Sequence, residues 1–249
     1  MTAKTRLHFA RFEFKYVLPT RLRDEIEREL GYFLQFDPFV ASTPEHKYFV
    51  RSLYFDDPDF TAFYDKIDGL RTRSKFRLRT YSNRIDRPAP IFLELKGRHN
   101  NLVFKHRVPV GGEEALRLAR GDAVAERILA GSEAGVPVRE QFQFELLRKR
   151  IRPVALIDYY RRPYISRYDP EFRITFDERL RGTQTSALFP GPAERGRDLL
   201  PGYTVVEVKF RYHVPAWFHR IIQSYELRRV SISKICRGIE VLGLAENLS

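Results

Sequence analysis

An α+β domain made mainly of antiparallel strands is what the sequence predicts, and three observations carry that expectation. Charged and apolar residues alternate with period two in six separate segments, the mark of strands with one buried face. Helical stripes lie between these segments, without the strict βαβ alternation of a doubly wound sheet. The 249 residues contain no Pro-, Gly- or Ser-rich linker near the middle, so residues 1–249 are expected to form a single domain.

Taken in order, Arg11-Phe12-Glu13-Phe14-Lys15-Tyr16 is the first strand. Thr20 to Gln35 carries Leu22, Ile26, Leu30 and Phe33 along one helical stripe. Asp57-Pro58 has the cap-then-proline start of a short helix through Lys66. Arg71, Arg73, Lys75, Arg77 and Arg79 occupy successive odd positions of the next strand, followed by strands at 91–98 and 103–108. Gly112 to Ala130 is read as one or two short helices, and Gln141 to Tyr164 as two strands around Pro153. Strands at 171–177 and 205–211 follow, and Pro215 to Leu227 gives a helix with Trp217, Phe218, Ile221, Ile222 and Tyr225 on a broad apolar face.

Composition narrows the class. With 43% hydrophobic and 14% aromatic residues the chain is no disordered basic tail, despite 44 Lys+Arg against 32 Asp+Glu and a net charge of +12. One cysteine, Cys236, excludes an intramolecular disulfide framework and a cysteine-based zinc site. The segment Met1 to Ala10 lacks the apolar stretch of a secretory signal, and no apolar run approaches the roughly 20 residues of a membrane helix. A soluble cytoplasmic protein is the expectation. The cations are 34 Arg and only 10 Lys, so the placement of lysine is the more informative.

On the charged strand faces thirteen cations stand against five acids (Glu13, Glu94, Glu171, Asp177 and Glu207). If those faces converge, an anion must supply the missing charge. A sandwich that turns them to water is the other solution, and the usual one for antiparallel sheets; alternation alone leaves both open. Three strands repeat an acid two residues before a lysine: Glu13/Lys15, Glu94/Lys96 and Glu207/Lys209. Each pair shares a face. Singly such a pair is a surface ion pair of small weight. Together, carboxylates that hold a hard divalent cation beside Lys and Arg that grip phosphate oxygens are the alternative. Six of the ten lysines (Lys15, Lys75, Lys96, Lys105, Lys209 and Lys234) fall in these stripes or in Ser231-Ile232-Ser233-Lys234.

These pieces form an ordered set: Phe12-Glu13-Phe14-Lys15-Tyr16, Ser52-Leu53-Tyr54-Phe55-Asp56, Lys75-Phe76-Arg77-Leu78-Arg79, Glu94-Leu95-Lys96, Lys105-His106-Arg107, Tyr159-Tyr160-Arg161-Arg162-Pro163-Tyr164, Arg173-Ile174-Thr175-Phe176-Asp177, Glu207-Val208-Lys209 and Ser233-Lys234. In that set the chain resembles the VTC domain, the polyphosphate-polymerase-like branch of the triphosphate tunnel metalloenzymes, which also include the CYTH triphosphatases and adenylate cyclases. The resemblance implies a closed antiparallel tunnel of about eight strands with a hydrophilic lumen and surrounding helices. It implies phosphotransfer from ATP to inorganic polyphosphate, with Lys15, Arg77, Arg79, Arg161 and Arg173 in catalysis. Lys75, Lys96, Lys105, Arg107, Lys209 and Lys234 would bind phosphate or nucleotide. Glu207, with Glu13 and Glu94 behind it, would hold Mn²⁺ or Mg²⁺. Arg161 is preferred to Arg162 because it lies three residues before Tyr164. Arg11 replaces the first acid of the triphosphatase Glu-x-Glu-x-Lys opening, which favours the polymerase-like branch. Membrane or regulatory parts would come from another protein, and no specific nucleic acid is expected. A triphosphatase of the same fold, a basic nucleic-acid-binding protein and a tunnel that binds polyphosphate without turnover are the alternatives. The histidines show no metal-ligand spacing, Cys236 reads as a small buried residue, and Asp56 and Asp57 read as a turn and helix cap.

Overall fold

The computed structural model describes residues 12–87, 89–100, 102–110 and 137–246. The predicted helices at 112–130 and Arg11 of the first strand lie outside them. In chain order the elements are β1 (Phe12–Pro19), α1 (Thr20–Leu30), β2 (Leu34–Phe36), β3 (Tyr48–Asp56), α2 (Thr61–Ile67), β4 (Thr72–Thr80), β5 (Ile91–His99) and β6 (Leu102–Val110). There follow α3 (Pro137–Lys149), β7 (Arg152–Ser166), β8 (Arg173–Thr183), β9 (Arg197–Asp198), β10 (Tyr203–Phe210), α4 (Ala216–Ser224) and α5 (Lys234–Leu242). All strands belong to one antiparallel sheet, and its main path holds eight of them in the order β1-β10-β8-β7-β3-β4-β5-β6. The short β2 and β9 extend β7 and β8.

The apolar strand faces turn outward and are roofed by helices. Phe76, Leu78, Leu93 and Leu95 pack under Val138 and Phe142 of α3. Tyr16, Ile174, Phe176, Val206 and Val208 pack under Ile26 and Leu30 of α1 and under Phe218 and Ile221 of α4. The charged faces are left to point inward, which settles the alternative left open by period two. At one end the interior is apolar, where Ile235, Cys236 and Ile239 of α5 pack with Ile157, Leu180 and Val205.

Ladder hydrogen bonds do not close the ring. Among the described residues β1 and β6 end the path without pairing, although they come into contact. The free edge of β1 is already used: Lys15 O accepts from Val230 N–H at 2.8 Å, beside an isolated bridge from Tyr16 to Arg229. A crossing segment thus occupies the place where β6 would add, and the seam is joined by side chains.

Three stretches differ from expectation. The helix expected over 20–35 ends at Leu30, and residues 34–36 form strand β2 instead. Residues 141–149 are helix α3 rather than strand. The Phe142/Phe144 alternation is misleading, since Phe142 is buried and Phe144 exposed, and Val138, Phe142 and Leu146 recur at helical spacing toward one core. Pro153 lies inside the single strand β7, where the register with β3 shifts, a place that tolerates a residue without N–H. Asp56 and Asp57 do cap α2: Asp57 Oδ1 accepts from Thr61 N–H, and the Asp56 carboxylate from Ala62 and Phe63 N–H. No helix among the described residues is long and apolar enough to cross a membrane.

Candidate active site

The inward faces enclose a cavity of about 820 Å³ lined by fifteen Lys or Arg side chains and three Glu. Three carboxylate-centred knots organise them.

On the β4–β5–β6 wall, register places Arg77 opposite Glu94 and Glu94 opposite Arg107. Arg77 donates through Nε to Glu94 Oε2 at 2.7 Å and through Nη1 to Tyr54 OH at 2.8 Å. Arg79 donates to Ser52 Oγ and Tyr159 OH and stands 3.7 Å from Glu94 Oε2. Lys105 pairs with the other Glu94 oxygen, with a third of its side chain open to the cavity. Burial would raise the Glu94 pKa, but Arg77, Arg79 and Lys105 together hold it well below the ordinary range. Burial also dominates Lys105, and with Arg79 and Arg77 nearby the Glu94 charge restores it only to about 7. Tyr54, which burial would raise, is brought down to about 8 by Arg77 and Arg79.

On the β7–β8–β10 wall, Arg161 grips Asp177 with two bonds of 2.6 and 2.7 Å and reaches Glu207 Oε2 at 2.9 Å. Lys234, from the first turn of α5, bridges Glu207 Oε1 and Asp177 Oδ2 at 2.6 Å each. Lys209 Nζ lies 2.9 Å from Glu207 Oε2. Against burial, Lys209, Lys234 and Arg161 hold Glu207 well below the carboxylate range, and Arg161 and Lys234 lower Asp177. Burial would lower Lys234, yet the two acids raise it.

At the seam, Glu13 of β1 meets Lys15 and Lys96 at 3.3 Å each, joining β1 to β5. Lys15 also donates to Ile232 O at 3.0 Å.

Of the fourteen residues nominated from sequence, all but Glu94 line the cavity; Glu94 lies behind its three cations, fully buried. Arg173 sits at one end, half-exposed and 3.9 Å from Asp37. Arg107 stacks over Phe92, and Lys75 donates to Cys236 Sγ at 3.1 Å. Arg161 is the lumenal member of its pair, while Arg162 turns outward to Glu27. Sequence reasoning missed Asp177 as a site residue, although it continues the odd positions of Arg173 and Thr175. It also missed Tyr54 and Tyr159, whose hydroxyls face the arginines, and the helix that delivers Lys234.

Among the described residues no group of three or more His, Cys, Asp or Glu could hold a metal by itself. Glu13 and Glu207 nevertheless suit a cation that takes most of its oxygens from a ligand. They are ionised, share a face of adjacent strands through the pairs Glu13/Lys209 and Lys15/Glu207, and each feels the other's charge. Glu94 does not suit one, because it is fully buried behind Arg77, Arg79 and Lys105 and does not line the cavity.

Comparison with known proteins agrees with this architecture. Two solved structures superimpose over almost the whole chain. A Bacillus halodurans protein assigned as an adenylate cyclase gives a TM-score of 0.52 at 13% identity, covering 90% of this chain and 94% of its own. A Hippeastrum protein assigned as an adenylyl cyclase, and described as having a dominant triphosphatase activity, gives 0.51 at 11% identity, covering 94% and 96%. At such identities the likeness is one of fold. No curated protein matches the sequence. The family model described as the VTC domain matches residues 10–243, and by that match, spanning every strand and helix above, the chain belongs to the VTC domain family.

Proposed function

We propose that the cavity transfers the γ-phosphoryl group of ATP onto the end of a growing polyphosphate chain. The observation that carries this reading is a lumen lined by fifteen cations and three glutamates, a charge excess that a bound polyanion would relieve. Its terminal phosphate oxygen attacks Pγ, the bond from Pγ to the β,γ-bridging oxygen breaks, ADP leaves, and one new P–O–P link forms. The transition state is loose and spreads charge over the equatorial oxygens, so positioning and electrostatic stabilisation carry the rate.

Arg77 and Arg79 on one wall present planar forks to those oxygens, Arg161 on the other wall adds its positive charge from its seat on Asp177 and Glu207, and Arg173 stands at the entrance. Lys15, Lys96 and Lys234 supply point charges to the nucleotide and the chain. The acceptor is a phosphate and already ionised, so no side chain is needed as a general base. Glu13 and Glu207 would hold Mn²⁺ or Mg²⁺. When bound, such an ion would offset negative charge on the phosphate groups.

In cells, the substrates would be ATP and inorganic polyphosphate in the cytoplasm, without a specific nucleic-acid partner and with any membrane or regulatory subunit separate. The test is incubation with ATP and Mn²⁺ or Mg²⁺, followed by separation of products by chain length. Chain growth with stoichiometric ADP is expected, and its loss in Arg77→Ala and Glu207→Ala. Orthophosphate release from tripolyphosphate without growth would replace this reading with a triphosphatase.

A further inference from the structure

A second, smaller cavity of about 210 Å³ adjoins the lumen, and Arg79, Lys105, Arg161, Arg173 and Lys209 line both. The rest of its lining has a different chemistry. Tyr48, Tyr81, Val50 and Pro163 bring rings and apolar surface, and Asp37 brings a carboxylate. Tyr48 and Tyr81 meet edge to face at 5.7 Å, and Phe39, 65% exposed, stands edge-on to Tyr48 at 5.2 Å. An ionised inorganic phosphate chain has no apolar surface for these rings, and its charge is repelled by Asp37.

Two polar atoms at this mouth are short of partners among the described residues. Thr175, only 6% exposed, lines the small cavity with no hydrogen-bond partner for its Oγ1, whereas buried hydroxyls are ordinarily bonded. Asp37 Oδ1 accepts from Phe39 N–H at 3.0 Å, but Oδ2 faces Arg173 at 3.9 Å, beyond hydrogen-bond reach. Arg173 and Thr175 share one face of β8. A ligand whose phosphates lie among the shared cations therefore brings its next group to Thr175 and Asp37. That group must offer hydroxyls to the two polar side chains and a flat ring to the tyrosines. A ribonucleoside has both, since its vicinal hydroxyls suit a carboxylate and its base suits an aromatic wall.

Resting on the phosphotransfer reading, we infer that this mouth is a nucleoside subsite for the donor triphosphate, with Asp37 and Thr175 on the ribose hydroxyls and Tyr48 and Tyr81 against the base. The shared cations grip any triphosphate. The mouth is what separates a nucleoside triphosphate from a bare oligophosphate.

Calorimetric titration of the full chain with ATP, 2′,3′-dideoxy-ATP and tripolyphosphate, each with Mg²⁺, is compared among wild type, Asp37→Ala and Thr175→Val. Wild type should prefer ATP to the dideoxy analogue by on the order of tenfold, as expected for hydrogen bonds to a charged group. Asp37→Ala should bring that ratio close to one, while tripolyphosphate binds as in wild type or more tightly because an acid has left a phosphate site. Thr175→Val should narrow the ratio without lowering the melting temperature, since the hydroxyl it removes bonds to nothing in the free protein. Equal affinity of wild type for ATP and its dideoxy analogue, or a preference that survives in Asp37→Ala, would overturn the assignment. So would an equal loss of ATP and tripolyphosphate binding in Asp37→Ala, which would make Asp37 a structural residue. Failure of wild type to bind either ATP or tripolyphosphate would instead remove the phosphotransfer reading, and the subsite with it.

Discussion

The two walls of the lumen spend their carboxylates differently. On the β4–β5–β6 wall a single acid, Glu94, serves Arg77, Arg79 and Lys105, a local balance of 3 − 1 = +2. On the β7–β8–β10 wall Asp177 and Glu207 serve Arg161, Lys209 and Lys234, a balance of 3 − 2 = +1. The second network also has the better geometry, with Arg161 bidentate on Asp177 and Lys234 bridging both acids. A buried network satisfied in this way fixes a shape. The first wall keeps charge in reserve for a ligand, and the second holds four elements, β7, β8, β10 and α5, in place around it.

The largest effect that tests this contrast is Arg161→Ala. Removing it leaves two buried acids short of one of their two shared donors, a change that costs about 3–5 kcal/mol in comparable networks, so both melting temperature and transfer should fall. Arg77→Ala should reduce transfer by two to three orders of magnitude, roughly as for loss of one oxyanion donor, with a smaller fall in melting temperature because Lys105 and Arg79 still cover Glu94. Equal thermal shifts in the two variants would break the division into gripping and holding walls.

A ligand can stand in for an acid on the first wall only. In Glu94→Gln, Arg77 and Arg79 lose their carboxylate, and saturating tripolyphosphate should raise the melting temperature of this variant more than that of wild type, by about 1–3 kcal/mol of added stabilisation. Asp177→Asn should show no such gain, since Glu207 still faces Arg161 and Lys234.

How much of this was legible in the sequence follows from which forces act locally. Cations at alternate positions on strands β4 to β6 and the repeated Glu-x-Lys exposed the lumenal faces, because period two is a property of a single strand. Pairings between strands were not legible: nothing near Asp177 in sequence announces Arg161 and Lys234. Helix α5 escaped because Lys234–Leu242 is short, carries Gly238 and Arg237 inside it, and forms against Ile157 and Leu199 rather than from its own propensity. Helix α3 was misread because Phe142 and Phe144 alternate while only Phe142 meets the core. The open seam depended on Arg229 and Val230 returning to β1 over two hundred residues later.

The smallest predicted effect sharpens the idea of reserve charge. Lys105 faces Glu94, Arg77 and Arg79, and burial with those arginines leaves its ammonium titrating at about 7. A bound phosphate chain adds negative charge beside it and moves the pKa back toward the ordinary lysine range of roughly 10. Below pH 7 Lys105 is charged with or without ligand, so its contribution to affinity is flat. Above pH 7 the free protein has lost that proton and must regain it on binding, so affinity falls as pH rises. Between pH 6 and 8 the Lys105 contribution amounts to about a tenfold loss for tripolyphosphate. Ionisation of the ligand itself is common to any variant, and Lys105→Arg, whose guanidinium keeps its charge, isolates the lysine term. Titration calorimetry in two buffers of different ionisation enthalpy should show uptake of nearly one proton at pH 8 in wild type beyond that in Lys105→Arg, and almost no difference at pH 6. Identical proton uptake by the two proteins at pH 8 would show that the first wall holds its full charge before the ligand arrives.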